Sequence, residues 1–157
     1  MARISKHITY KEATKSNTAT KFGIDNTPGK IELKKMKKTA KSIFEPLREY
    51  FNVPIAITSF FRSGKLNKKI GGSKCSQHRT GEAMDIDADV YGKVSNKQVF
   101  KYIRDNLLFD QLISEYPDKN GNPRWVHVSY DYNRDNRREI LVSYKNKFNR
   151  TKYKYHG

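Results

Sequence analysis

Two strand-like runs rich in aromatic and β-branched residues, Phe109 to Tyr116 and Arg124 to Tyr130, flank the turn-forming stretch Pro117-Asp118-Lys119-Asn120-Gly121-Asn122-Pro123. Two such runs parted by a short stretch bearing proline, glycine, asparagine and aspartate predict a β-hairpin. Pairing symmetric about Asn120 sets Ile113 opposite His127 and Glu115 opposite Trp125, so that Glu115 and His127 share a face; a slip of one residue sends Glu115 to the other face. Pro54 to Phe61, with β-branched Ile55, Ile57 and Thr58, reads as another strand, ending at Arg62. Met84, Ile86 and Ala88 alternate with Asp85, Asp87 and Asp89, which predicts a strand with one apolar and one acidic face. Ile140 to Tyr144 is a candidate for one more.

Helical spacing appears in two places. Leu33, Met36, Ala40, Ile43, Phe44, Leu47 and Phe51 follow the helix start Thr27-Pro28, and Pro46 is expected to kink or reset that helix. Ser95-Asn96-Lys97-Gln98 has capping-box form and opens a helix with Val99, Ile103 and Leu107 inward. The length of 157 residues suits one domain. Within it, residues 1–27 read as an irregular arm with at most a short helix, 28–144 as the core, and 145–157 as a loosely held basic tail. The glycine-bearing loop from Ser63 to Gly81 is too long for an ordinary connector and reads as functional.

A formal charge of +16, from 32 Lys and Arg against 16 Asp and Glu, sets a positive long-range potential and calls for an anionic partner. Nucleic acid, anionic lipid and the anionic polymers of bacterial envelopes all satisfy it. Cys75 is the only cysteine, so the fold does not depend on an intramolecular disulfide. No signal-like apolar stretch opens the chain and no transmembrane run occurs, so synthesis in the cytoplasm is expected, with delivery by other means to any target outside the membrane.

The chemistry concentrates on two of the four histidines, at 7, 78, 127 and 156. In Ser76-Gln77-His78-Arg79-Thr80-Gly81-Glu82-Ala83-Met84-Asp85 an imidazole ends the glycine-bearing loop and a carboxylate sits on the strand that follows. In Trp125-Val126-His127-Val128-Ser129 the pleat sends His127 away from the core-facing Val126 and Val128. His78, Asp85 and His127 are zinc-ligand types, and two His with one carboxylate leave a fourth position open, as catalytic zinc sites do. Cys75, near His78, offers a weaker nucleophile-and-base reading. Asp85-x-Asp87-x-Asp89 does not complete a calcium loop, because Val90 and Asn96 stand where glycine and glutamate are required.

Ser76-x-His78-x-x-Gly81-x-Ala83-x-Asp85, followed by Trp125-Val126-His127-Val128-Ser129, resembles the zinc D-alanyl-D-alanine carboxypeptidases and phage L-alanyl-D-glutamate endopeptidases of the hedgehog/DD-peptidase type. Ser16 to Pro28, Ser59-Phe60-Phe61-Arg62-Ser63 with Asn67 and Gly71-Gly72, and Phe109-Asp110-Gln111-Leu112-Ile113-Ser114-Glu115 extend the likeness over residues 7 to 144. The resemblance implies a single α+β domain with a small antiparallel β-sheet packed with helices. It also implies one zinc ion held by His78, Asp85 and His127, and Arg62 on a substrate carbonyl or carboxylate, with Ser76, Gln77 and Trp125 lining the substrate site. The implied activity is hydrolysis of stem peptides of bacterial peptidoglycan by a monomer, in the setting of a phage endolysin or virion-borne wall hydrolase. Anionic wall polymers would then meet the basic surface, and nucleic acid is not the expected partner.

One departure stands out. Many relatives carry an acid three residues before the second histidine ligand, where this chain has Arg124. The hairpin register offers Glu115 as the general base in its place. The contrasting expectation is a catalytically inactive basic module that keeps the fold and binds nucleic acid or wall polymer.

Overall fold

The computed structural model describes residues 2–157, an α+β domain with a two-stranded antiparallel ribbon and a six-stranded mixed sheet packed against helices. The ribbon joins β1 (Arg3–Ser5) to β2 (Ile8–Thr9), and two short helices follow, α1 (Tyr10–Thr14) and α2 (Asn17–Phe22). The expected irregular arm is therefore corrected. Thr9 and Glu12 close a capping box on α1, Ser16 caps α2, and Ile4, Ile8 and Ala13 are buried in the common core. Asn26 pins this segment to the functional loop: its Nδ2 donates to the Thr14 and Phe61 carbonyls, and its Oδ1 accepts from Ser63 N at 2.7 Å.

The first long helix begins slightly later than Thr27-Pro28, as α3 (Lys30–Thr39). It passes through a π-helical turn, Ala40–Phe44, into α4 (Glu45–Phe51). Pro46 sits in the first turn of α4, where its missing N–H does least harm, and the wide turn absorbs the reset. Strand β3 (Ala56–Ser59) follows. The 63–81 loop is not structureless, because Ser63 caps α5 (Gly64–Lys69) and Ser76 caps a 3₁₀ turn, Gln77–Thr80. That turn ends at Gly81, whose φ is 79° and where a Cβ would lie 2.5 Å from Met36 Cγ and 2.7 Å from the Glu32 carbonyl oxygen. Gly81→Ala is accordingly expected to lower stability by at least about 2 kcal/mol, read as a reduced denaturant midpoint.

The remaining elements are β4 (Ala83–Asp87), α6 (Asn96–Asn106), β5 (Gln111–Glu115), β6 (Trp125–Ser129), β7 (Glu139–Lys145) and β8 (Thr151–Tyr155). Their order in the sheet is β3-β4-β6-β5-β7-β8. The hairpin pairs as its sequence symmetry predicts, Ile113 with His127 and Glu115 with Trp125. All pairs are antiparallel except β5 with β7, which run parallel after residues 130–138 pass around the start of β5 at one end of the sheet. The expected loose tail is also corrected, since Thr151–Tyr155 forms the edge strand β8. One face of the sheet carries Met84, Ile86, Leu112, Val126 and Val128 into a core shared with Ile43, Phe44, Leu47, Val99 and Ile103 of the helices. The other face is left for the site. No helix among the described residues is long and apolar enough to cross a membrane.

Candidate metal centre and active-site cleft

Three strands and one turn bring the polar groups together. Asp85 of β4 pairs directly with His127 of β6, so both side chains leave the same face of the sheet, and the 3₁₀ turn before β4 drops His78 beside them. Asp85 Oδ1 lies 3.0 Å from His127 Nδ1 and 3.3 Å from His78 Nε2. The backbone couples the turn to the end of β3, since Arg62 N donates to the His78 carbonyl at 3.0 Å.

His78 is 2 % exposed and its Nδ1 lies 2.7 Å from the Phe60 carbonyl oxygen. A carbonyl accepts only, so Nδ1 carries the proton and Nε2 presents a lone pair. Despite its nearness to Asp85, that buried Nε2 has no hydrogen bond of acceptable geometry. Burial pushes the His78 pKa down, with Asp85 opposing, which favours the neutral imidazole that a metal ligand must be. At Asp85 burial disfavours the charge, yet the hydrogen bond from His127 outweighs it and holds the carboxyl well below the ordinary range. An orphaned imidazole nitrogen, a second imidazole and an ionised carboxylate, with ligand atoms all within 4.8 Å of one another, fit a divalent metal of the zinc type.

These groups form the floor of a cleft of about 740 Å³, whose walls include Arg62, Ser76, Gln77, Glu115 and Trp125. The cleft thus contains every site residue expected from the sequence. Arg62 is held by three bonds: Nη2 to Asp85 Oδ2 at 3.2 Å, Nε to Ser59 Oγ at 3.1 Å and Nη1 to Asn67 Oδ1 at 3.4 Å. Two of its five N–H groups remain for a ligand. Ser76 Oγ accepts from His78 N, so it shapes the turn as well as lining the cleft. The side-chain nitrogen of Gln77 is engaged by Asp110 at 3.0 Å, an aspartate that Arg137 also grips.

Glu115 is 7 % exposed, and burial raises its pKa, offset in part by a hydrogen bond from Ser143 and by the nearby His127. Ser143 Oγ accepts from Tyr116 N at 3.1 Å and donates to Glu115 Oε2 at 2.5 Å. The backbone donor fixes the direction of the hydroxyl proton, and Tyr116, at φ 45°, is held in the left-handed region. Nothing local to Ser143 marks it in the sequence; only the parallel pairing of β7 on β5 brings it there. Arg124 is exposed, bonds Glu115 only through its backbone at 2.8 Å, and turns its side chain out of the cleft. It does not stand in for an acid.

The sequence model of one family, Peptidase M15, matches residues 6–129. The chain belongs to the peptidase M15 family. Among curated proteins there is no match. Peptidase M15 enzymes are zinc-dependent metallopeptidases, so at this level the chain is a hydrolase of the metallopeptidase class, and peptidoglycan peptide is the substrate class consistent with it. The M15 match ends at β6, leaving β7 and β8, with Ser143 and Tyr153 of the cleft, outside it. Two other readings of the M15 site lose their footing. Both ring nitrogens of His78 face Phe60 and Asp85 instead of Cys75, and Asp87 and Asp89 accept from Asn96 Nδ2 at 2.9 and 3.2 Å as part of the entry to α6.

Proposed function

We propose that this M15 peptidase binds one zinc ion through His78, Asp85 and His127 and hydrolyses a peptide bond in the stem peptides of bacterial peptidoglycan. The observation that carries the reading is the orphaned Nε2 of buried His78, converging with Asp85 and His127 at the floor of a cleft that also holds Glu115. Zinc, when bound, supplies Lewis acidity and brings a water toward ionisation near neutral pH. Glu115 is the general base, with Oε2 anchored by Ser143 and Oε1 left to take the proton of the attacking water and return it to the leaving amine. The two unengaged N–H groups of Arg62 stabilise the developing oxyanion or orient the substrate carboxylate. Trp125, Ser76 and Gln77 line the path of the peptide.

The setting we propose is a phage endolysin or virion-borne wall hydrolase, supported by the sequence likeness to phage L-alanyl-D-glutamate endopeptidases. Purified peptidoglycan incubated with the protein, with chelator and with zinc add-back, should release peptide fragments only when zinc is present. Mass spectrometry of the fragments names the bond, and a cut between L-Ala and D-Glu would match the phage enzymes. Intact stem peptides after prolonged incubation with folded, zinc-loaded protein would sink the proposal.

Ser143→Ala removes a hydrogen bond to a charged group, a loss of about 1.5–3 kcal/mol, so kcat should fall roughly tenfold or more. The bond favours the ionised form of Glu115, so its removal raises the pKa further and moves the acidic limb of the pH–rate profile to higher pH. An unmoved limb would show that Ser143 does not hold the base.

A further inference from the structure

Past the end of the family match, residues 140–157 contain five Lys and Arg and no Asp or Glu. These residues build the β7–β8 hairpin and do not form a free tail. Beside the hairpin, and next to the catalytic cleft, lies a second groove of about 610 Å³. Cations border it from three places: Lys145 of β7, Lys154 of β8 and Arg124 of the hairpin loop just before β6. None of the three makes an ion pair among the described residues, and no acidic side chain lines the groove. The two lysines lie over aromatic rings, Lys145 Nζ 5.5 Å from the Tyr116 ring centre and Lys154 Nζ 5.6 Å from that of Tyr144.

Lysine on an edge strand commonly serves to prevent sheet-to-sheet pairing. That role accounts for Lys154 on β8 and for Lys145, which lies past the end of the β5–β7 pairing, but not for Arg124 of the hairpin loop bordering the same hollow; the two lysines leave opposite faces of the β7–β8 ribbon and flank the groove. Cations without carboxylate partners on both banks of a groove, each lysine beside a tyrosine ring and Lys145 Nζ also donating to Thr151 Oγ1 at 3.0 Å, form a site for a flexible polyanion that can wrap the sheet edge. Tyr116 and Trp125 line both the groove and the catalytic cleft, so the two adjoin.

We propose that this groove binds a phosphate-bearing anionic polymer of the bacterial wall, of the polyol-phosphate kind, and thereby holds the enzyme beside its substrate. The inference rests on the peptidase reading for the choice of a wall polymer over nucleic acid.

The test is binding of the zinc-loaded full chain to poly(glycerol phosphate) across a salt series, with single-stranded DNA of equal charge in parallel. Wild type is compared with Lys145→Gln/Lys154→Gln and with Lys145→Arg/Lys154→Arg. Loss of two phosphate contacts should reduce the slope of log affinity against log salt by about 1.4 and weaken binding about tenfold at low salt. The Arg variant should retain binding. Both variants should keep the wild-type melting temperature and the wild-type rate on a short soluble stem peptide, while the Gln variant alone loses rate on polymer-bearing wall. An unchanged salt slope in the Gln variant overturns the proposal, as does DNA binding more tightly than the wall polymer through the same two lysines. Failure of the peptidase reading shows separately, as no hydrolysis of the soluble peptide by wild type.

Discussion

Glu115→Gln is expected to lower kcat by about 10²–10⁴ while leaving zinc binding and the fold intact. Glutamine keeps the size of the side chain and can still accept from Ser143, so the loss isolates proton transfer. The expectation depends on register. Glu115 pairs with Trp125 and Ile113 with His127, which places the carboxylate diagonal to a metal-ligand candidate on the same sheet face. Burial raises the Glu115 pKa, bringing it nearer the working pH of a general base. As a base it must be ionised, so kcat/KM should rise with pH through a limb set above that of an exposed glutamate. Retention of wild-type kcat in Glu115→Gln would remove Glu115 from the mechanism.

Asp85→Ala is expected to be the most damaging single change, costing both the metal and the fold. The Asp85 carboxylate meets Arg62, His127 and His78 at 3.2, 3.0 and 3.3 Å. Its removal leaves a largely buried guanidinium without its ionic partner, and breaking such a buried pair costs about 3–5 kcal/mol. Metal-free Asp85→Ala should therefore melt well below wild type, bind no zinc at one equivalent, and show only background hydrolysis. Asp85→Asn separates charge from packing. Because the folded pKa of Asp85 is depressed, its charge contributes stability above the unfolded value, near pH 4, and loses it progressively as pH falls toward the folded value. The stability gap between wild type and Asp85→Asn should be constant at neutral pH and narrow below about pH 4. A gap that widens in acid would contradict the assigned charge state.

Particular residues show why some of this was legible in the sequence. The hairpin announced its register because Pro117 to Pro123 lies symmetrically about Asn120, with strand-forming residues on both sides and His127 set between Val126 and Val128. Asp85 and His127 stood out because their neighbours Met84, Ile86, Val126 and Val128 are core residues that leave the polar partners no direction but the open face, and His78 because it ends the glycine-bearing loop just before that strand. Strand β8 does alternate, Lys152-Tyr153-Lys154-Tyr155, but all four are exposed, and so short and basic a stretch with no aliphatic residue reads as a solvated tail. The ribbon β1–β2 is too short to show a period, and its anchors Ile4 and Ile8 find partners only in the tertiary core. Helix α5 carries its Ser63 cap in plain view, but six residues opening on Gly64 amid further glycines read as loop. Ser143 was beyond reach because its contact with Glu115 spans a parallel pairing between residues 28 apart.

The central claim is most directly tested by titrating metal-free protein with zinc while following hydrolysis of a soluble stem peptide. A rate that rises linearly and breaks at one zinc per chain, with no rise in His127→Ala, is the result this structure predicts. Full activity in the metal-free protein, or no activity at one equivalent of bound zinc, would contradict it.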